Sequence, residues 1–409
     1  MRILWLKTEL LHPVDKGGKI RTYNMLKELK RDHEITYLTL DEQSDPEAKL
    51  LAKEYCETLI TVPHKTRPKF SVPFYAELAA NLVSSLPYFM KKYESIPMRL
   101  AIAELLARNS FDVLVCDFLQ PAINLPRPLS VPSVLFQHNV EATIWRRHYE
   151  VQQNPIKRVY LYNQWRKAQR YEADTCRQFD FVVAVSPQDS EIICKEYGVQ
   201  HVDQVATGVD TEYFKPNGDV NPQPRSLVFT GSMDWLPNED AMQYFIKQIL
   251  PLIREAVPDI TLTIVGRNPY PSLVELSQDD PKLIVTGRVH DVRPYIEQAA
   301  AYIVPIRVGG GTRLKIYEAM AMGKPVISTS VGAEGLPLND GVELLLADTP
   351  KEFADAVIRV VTDSVLADRL ATRAAQMVRD RFGWRNVADE FAQLCERART
   401  NYDVKRDEE

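Results

Sequence analysis

Cysteine is scarce in this chain, with five residues in 409. They stand at Cys56, Cys116, Cys176, Cys194 and Cys395, and no two have CxxC spacing. An odd, unclustered set excludes a fully paired disulfide framework and reads as free thiols in a reducing compartment. No uninterrupted apolar run reaches the ~18 residues of a membrane span. The opening MRILWLKTELLHP is too short and too charged for a signal peptide, so the expected location is cytoplasmic. Positive charge is not in excess either. Fifty Lys and Arg stand against 55 Asp and Glu, a net charge of −5, which offers no general field for nucleic acid. GxxxxGK[ST] is absent, so there is no P-loop. No DxD-like cation site is present, and Asp279 and Asp280 read as a solvated loop.

What is present is an ordinary soluble composition, 45% hydrophobic and 26% charged. The length predicts at least two domains. Charge is uneven: residues 1–200 hold 27 basic against 24 acidic side chains, and residues 201–409 hold 23 against 31. The first half is therefore the better candidate to meet an anionic partner.

Short apolar runs alternate with helical patterns. Strands are expected at 2–6, 35–40, 59–62, 113–116, 133–137 and 181–185. A second set is expected at 227–230, 261–265, 283–286, 301–305, 325–328 and 343–346. Many are continuously apolar, as strands covered on both faces are. Helices are expected between them, at 21–30, 241–255 and 313–322 among others. The pattern predicts α/β architecture with two doubly wound parallel sheets. The turn-rich stretch GVDTEYFKPNGDVNPQPRS places the boundary near 205–225. The final segment 384–399 reads as an amphipathic helix with a frayed charged tail after it. In such sheets ligands bind beyond the carboxyl ends of the strands.

One such loop is VGGGTRLKIYEAM, which follows an apolar run. Gly309, Gly310 and Gly311 lead into a helix opening near Thr312, and exposed N–H groups there suit an anion. Arg313 and Lys315 add a forked cation and a mobile one. Glu318 could accept from vicinal ribose hydroxyls. The plain alternative is a glycine turn with a solvated Lys–Glu pair.

GTRLKIYEAMAMGKPVISTSVGAEGL closely resembles the nucleotide-sugar motif of glycosyltransferase family 4, the retaining GT-B enzymes. ATGVDTEYFKP resembles the opening of that family's donor domain. LVFTGSMDWLPNEDAMQYF, LTIVGRNP and IVTGRVHDVRPYIEQAAAYIVP are similar to its successive strand–loop patterns. In the first half the resemblance rests on Gly17 and Gly18, QHNVEA and FVVAVSPQD. It implies two Rossmann-like domains facing across a cleft: an acceptor domain at 1–204, joined by the helix 384–409, and a donor domain at 205–383. It implies metal-independent transfer with no cofactor beyond the nucleotide-diphosphate sugar. Protein groups must then stabilise the leaving diphosphate: the Gly309–Gly311 loop, Arg313 and Lys315, with Thr312 and Leu314 as donor-binding candidates beside them. Glu318 matches the ribose-holding glutamate, and Gly287, Arg288 and Val289 match the loop beside the base. Two departures stand out. The family's first motif glutamate, seven residues before the second, falls on Gly310. The usual Arg and Lys after the first donor-domain strand are replaced by Gly231 and Ser232, which we retain as donor-binding candidates.

In the first half, Gly17 and Gly18 are expected to approach the diphosphate, ahead of a helix opening near Ile20. His138 follows a strand and is the candidate to bind a sugar hydroxyl or shuttle a proton. Asn139 and Glu141 are acceptor-side candidates, and Ser186 is a helix cap. Residues 144–171 are basic and aromatic, suiting an anionic membrane surface, a lipid diphosphate acceptor or a solvated helix face. Residues 63–99 are expected to form an acceptor-side loop. The expected function is a hexosyltransferase-like enzyme acting on a hydroxyl acceptor, in polysaccharide or glycolipid synthesis. A nucleotide-sugar 2-epimerase and a silent nucleotide-sugar-binding subunit remain as alternatives.

Overall fold

The structure, a computed structural model, describes residues 1–408 except 43–44, 67–71, 153, 219, 221 and 309–313. The chain divides into two compact units, Met1–Ala206 with Val387–Glu409, and Thr207–Asn386.

The first unit holds a seven-stranded sheet: β1 (Arg2–Lys7), β2 (Glu34–Asp41), β3 (Thr58–Pro63), β4 (Val113–Asp117), β5 (Ser133–Phe136), β6 (Phe181–Ala184) and β7 (Val202–Gln204). The second holds six: β8 (Ser226–Thr230), β9 (Thr261–Val265), β10 (Leu283–Gly287), β11 (Ala301–Val304), β12 (Val326–Ser328) and β13 (Leu345–Leu346). Their orders are β3-β2-β1-β4-β5-β6-β7 and β10-β9-β8-β11-β12-β13, and every pairing is parallel. Continuous apolar runs are buried at every residue in β4, β5, β6, β8, β11 and β12. Each sheet reverses its winding once, between β1 and β4 and between β8 and β11. A crevice for ligands opens beyond the strand ends at such a reversal.

Five local expectations differ. β7, Val-Asp-Gln, carries no apolar run and is half-buried. The first helix spans Gly17–Leu29 and opens at Gly17, because a glycine in the first turn sacrifices little and Gly18 leaves room for an aromatic ring. The helix expected at 241–255 begins at Leu236 and contains a π turn at Phe245–Ile249. Residues 63–99 are not one loop; they include helices Val72–Asn81 and Tyr88–Lys91 and the start of Ile96–Arg108. The last helix runs Trp384–Glu408 with no frayed tail from 400.

Candidate active site

At the reversal point of the first sheet, β1 ends in Lys7 and β4 in Asp117. Both are buried, and their charged ends lie 2.9 Å apart. Asp117 Oδ2 also accepts from Trp5 Nε1 at 3.0 Å and Thr22 Oγ1 at 2.6 Å. Burial alone would raise the Asp117 carboxyl. The Lys7 ammonium and the donors overcome it and hold the group well below the usual carboxylate range. Burial lowers the Lys7 ammonium, and Asp117 opposes that.

His138 follows β5 and is buried beside this pair. Its Nε2 lies 2.8 Å from Asp117 Oδ1, and neither ring nitrogen has an aligned hydrogen-bond partner among the described residues. Burial lowers the imidazole to about 3, against the pull of Asp117. The ring is therefore neutral at pH 7 and suited to hydrogen bonding, not to a proton shuttle near neutrality. Phe118 stacks on it at 3.8 Å between centroids and lies 4.3 Å from the Lys7 ammonium. Phe118 adopts φ +70°, a left-handed backbone rare for a bulky side chain. A Cβ on Gly18 would come within 2.8 Å of this ring. Gly18 thus acts by admitting Phe118, while a Cβ on Gly17 would meet open space.

Asn139 is exposed. Glu141 is half-buried, accepts from Gln120 Nε2 at 3.2 Å, and has its carboxyl raised by burial. Ser186 caps the helix Pro187–Lys195 through Asp189 N at 3.1 Å. The basic segment folds as two helices, Glu141–Val151 and Pro155–Cys176. Tyr149, Tyr162 and Trp165 pack on one another there.

In the second unit, β8 runs into Gly231, whose N–H donates to Val265 O at 2.9 Å. Asn238 on the helix Leu236–Tyr244 accepts from Lys315 Nζ at 3.0 Å and donates to Ser232 O at 2.8 Å. The Lys315 ammonium also lies 4.2 Å from the Phe229 ring centroid. A Cβ on Gly231 would sit 2.7 Å from both Lys315 Nζ and Asn238 Nδ2, so glycine there gives the ammonium its place. Ser232 Oγ accepts from Arg267 Nε at 2.7 Å. Glu318 lies one turn beyond Lys315 in the helix Leu314–Ala321. Burial pushes its carboxyl up to about 7, with Lys315 opposing. Its side chain has no hydrogen-bond partner among the described residues. Leu314 and Val289 are half-buried and Arg288 is exposed. Gly287, at φ +69°, accepts from Gly266 N at 3.2 Å.

Gly309, Gly310, Gly311, Thr312 and Arg313 lie outside the described residues. Of the donor candidates, the structure brings together Gly231, Ser232 and Lys315. Sequence reasoning missed Lys7, Thr22, Asp117 and Phe118, and in the second unit Asn238. The one available signal was the acid closing the apolar run VLVCD. Among the described residues, no three His, Cys, Asp or Glu side chains converge to hold a metal ion, and no helix is long and apolar enough to cross a membrane.

The family model described as Glycosyltransferase Family 4 matches residues 16–213, and that described as Glycosyl transferases group 1 matches residues 224–363. A D-inositol 3-phosphate glycosyltransferase of Nocardioides is 28% identical, over 54% of this chain and 54% of its own. A phosphatidyl-myo-inositol mannosyltransferase of Mycobacterium leprae is 29% identical, over 37% of this chain and 42% of its own. The chain thus spans about half the length of these two relatives, or less. An uncharacterized 44.6 kDa protein in the cps region of Klebsiella pneumoniae is 19% identical, over 94% of this chain and 97% of its own. Among solved structures, Anabaena HepE in complex with UDP is similar at TM-score 0.65 and 14% identity, covering 97% of this chain and 100% of that one. A Thermosynechococcus elongatus sucrose-phosphate synthase is similar at TM-score 0.64 and 16% identity, covering 96% and 98%. Two reversing parallel sheets, and two family matches that between them take in most of the chain, lead to one assignment: this chain is a glycosyltransferase of the GT-B type.

Proposed function

We propose that the chain transfers a sugar from a nucleotide-diphosphate donor to a hydroxyl acceptor, without a metal and with retention of anomeric configuration. The second unit takes the donor and the first the acceptor. The bond from the anomeric carbon to the diphosphate oxygen breaks. The acceptor oxygen takes its place and loses its proton, and negative charge gathers on the departing diphosphate. The observation that carries this reading is the Lys315 ammonium held by Asn238 in the space left by Gly231. A fixed cation there would stabilise the leaving group. Glu318, with no hydrogen-bond partner among the described residues, suits the ribose hydroxyls. HepE, whose fold is similar, binds UDP and UDP-glucose, which supports a uridine diphosphate sugar as the first donor to try.

The inositol and phosphatidyl-inositol acceptors named for the relatives support a polyol or lipid-linked acceptor, in polysaccharide or glycolipid assembly. On the helix Pro155–Cys176, Ile156 and Val159 are 82% and 71% exposed beside exposed Lys157 and Arg158. Apolar side chains flanked by cations suit an anionic membrane surface.

The test is incubation with a panel of nucleotide sugars and polyol acceptors, with and without EDTA. Expected are release of nucleoside diphosphate, activity that survives chelation, and a product of unchanged anomeric configuration by NMR. Conversion of the donor sugar without transfer would instead identify an epimerase, and binding without turnover a silent subunit.

A further inference from the structure

The segment carrying His138 is gripped by one side chain from another helix. Glu172, in Pro155–Cys176, is fully buried. Its Oε1 accepts from Gln137 Nε2 at 2.8 Å and from Glu141 N at 2.8 Å. Its Oε2 accepts from Ala142 N at 2.9 Å and from the Tyr197 hydroxyl at 2.9 Å. Gln137 precedes His138, and Glu141 and Ala142 follow it. The helix Glu141–Val151 has Val140 at its N-cap and no capping side chain of its own. Glu172 therefore supplies from outside the acceptor that a Ser or Asp would normally provide, and its charge suits that helix terminus.

We propose that Glu172 is the positioning residue for His138, its carboxylate clamping the segment on both flanks of the ring. The inference rests on the reading that His138 serves transfer, but the clamp itself can be observed without it.

The clamp has a chemical weak point. Glu141, Tyr197 and Cys176 are titratable groups facing Glu172, with Arg177 beyond Cys176. Burial, the largest influence, pushes the Glu172 carboxyl up to about 7 in spite of its donors. A proton on the carboxyl weakens it as an acceptor for the N–H donors on both flanks, even where the Tyr197 hydroxyl turns to accept it. Burial lowers the His138 imidazole to about 3, so a change at the ring near pH 7 comes from a neighbouring group and not from its own proton. Glu318 is also pushed up to about 7, so the pH dependence that identifies Glu172 is the one that substitution of Glu172 removes.

The experiment uses the full chain and two substitutions. Glu172→Gln removes the titration and one acceptor. Tyr197→Phe removes one donor to the carboxylate and leaves both flanks of His138 bonded. NMR of the His138 ring and hydrogen exchange at the Glu141 and Ala142 amides, from pH 6 to 8, read the clamp directly. In the wild-type chain both should change through about pH 7. Glu172→Gln should abolish that change and lower amide protection at least ~10-fold. Tyr197→Phe should move the change to higher pH, because the charged form has lost a donor. If His138 signals and amide protection ignore both substitutions in folded protein, the proposal is overturned. Expected in turnover at saturating donor is a fall in kcat at unchanged donor KM for Glu172→Gln. Should the clamp respond while transfer does not, Glu172 still positions the ring and only the role of His138 in transfer fails.

Discussion

The two units put the same topological position to different uses. At the reversal between β1 and β4, the first unit fills the crevice with its own charges: Lys7 and Asp117 neutralise each other and Phe118 covers them. At the corresponding place beyond β8, the second unit leaves space. Gly231 has no side chain, Lys315 rests against a neutral amide, and Glu318 has no hydrogen-bond partner among the described residues. A buried ion pair fixes structure with little charge to spare. The Lys315 ammonium, held by the Asn238 amide, also acts on the Glu318 carboxyl. One crevice is thus closed by a buried ion pair, while the other sets a cation beside a neutral amide and a raised carboxyl.

The same substitution in both crevices tests this most strongly. Lys7→Met strands Asp117 as a buried lone carboxylate and should cost about 3–5 kcal/mol of stability, read by chemical denaturation. Lys315→Met should leave stability almost unchanged but lower kcat about 100- to 1000-fold, the equivalent of ~2.7–4 kcal/mol, read by single-turnover rates at saturating donor. Similar stability losses in the two variants would break the comparison.

Next in size is Glu318→Ala, which should weaken donor binding by roughly 1.5–3 kcal/mol by calorimetry. Unchanged affinity in folded protein would remove Glu318 from the donor site. A matched pair of glycines sharpens the contrast. Gly18→Ala drives a methyl against the packed Phe118 ring and should destabilise by ~1–3 kcal/mol. Gly231→Ala meets both the Lys315 ammonium and the buried Asn238 amide and should slow turnover by displacing the ammonium. Smallest is Ser186→Ala, in the first unit, at about 1 kcal/mol from a lost cap with no change in donor affinity.

The strands were legible because a parallel sheet covered on both faces demands continuous apolar runs, and VLVCD and SLVFT supply them. β7 was not, since Val-Asp-Gln pairs with β6 through its backbone and has no run of its own. Glycine loops, cations and acids in one short stretch could be found by spacing alone. The Lys7–Thr22–Asp117 cluster could not, because Lys7 and Asp117 are 110 residues apart and Thr22 and Asp117 are 95 apart. A lysine at the end of an apolar strand looks like a solvated residue until the neighbouring strand brings its partner. Glu172 was hidden for the same reason, as one acid among the cations of its helix.

The first unit also closes late. Its sheet begins at Arg2, yet Phe391 lies 5.5 Å from Trp5 and 4.9 Å from Phe136 between ring centroids, and Arg397 pairs with Asp203 at 2.8 Å. All of Thr207–Asn386 intervenes. During synthesis the second unit has its whole sequence in hand before the first does. The half that the ribosome starts first is finished last, and Trp5 must wait for the arrival of Phe391 more than three hundred residues later. A growing chain stalled before residue 387 should therefore carry a folded second unit beside a first unit still open to protease.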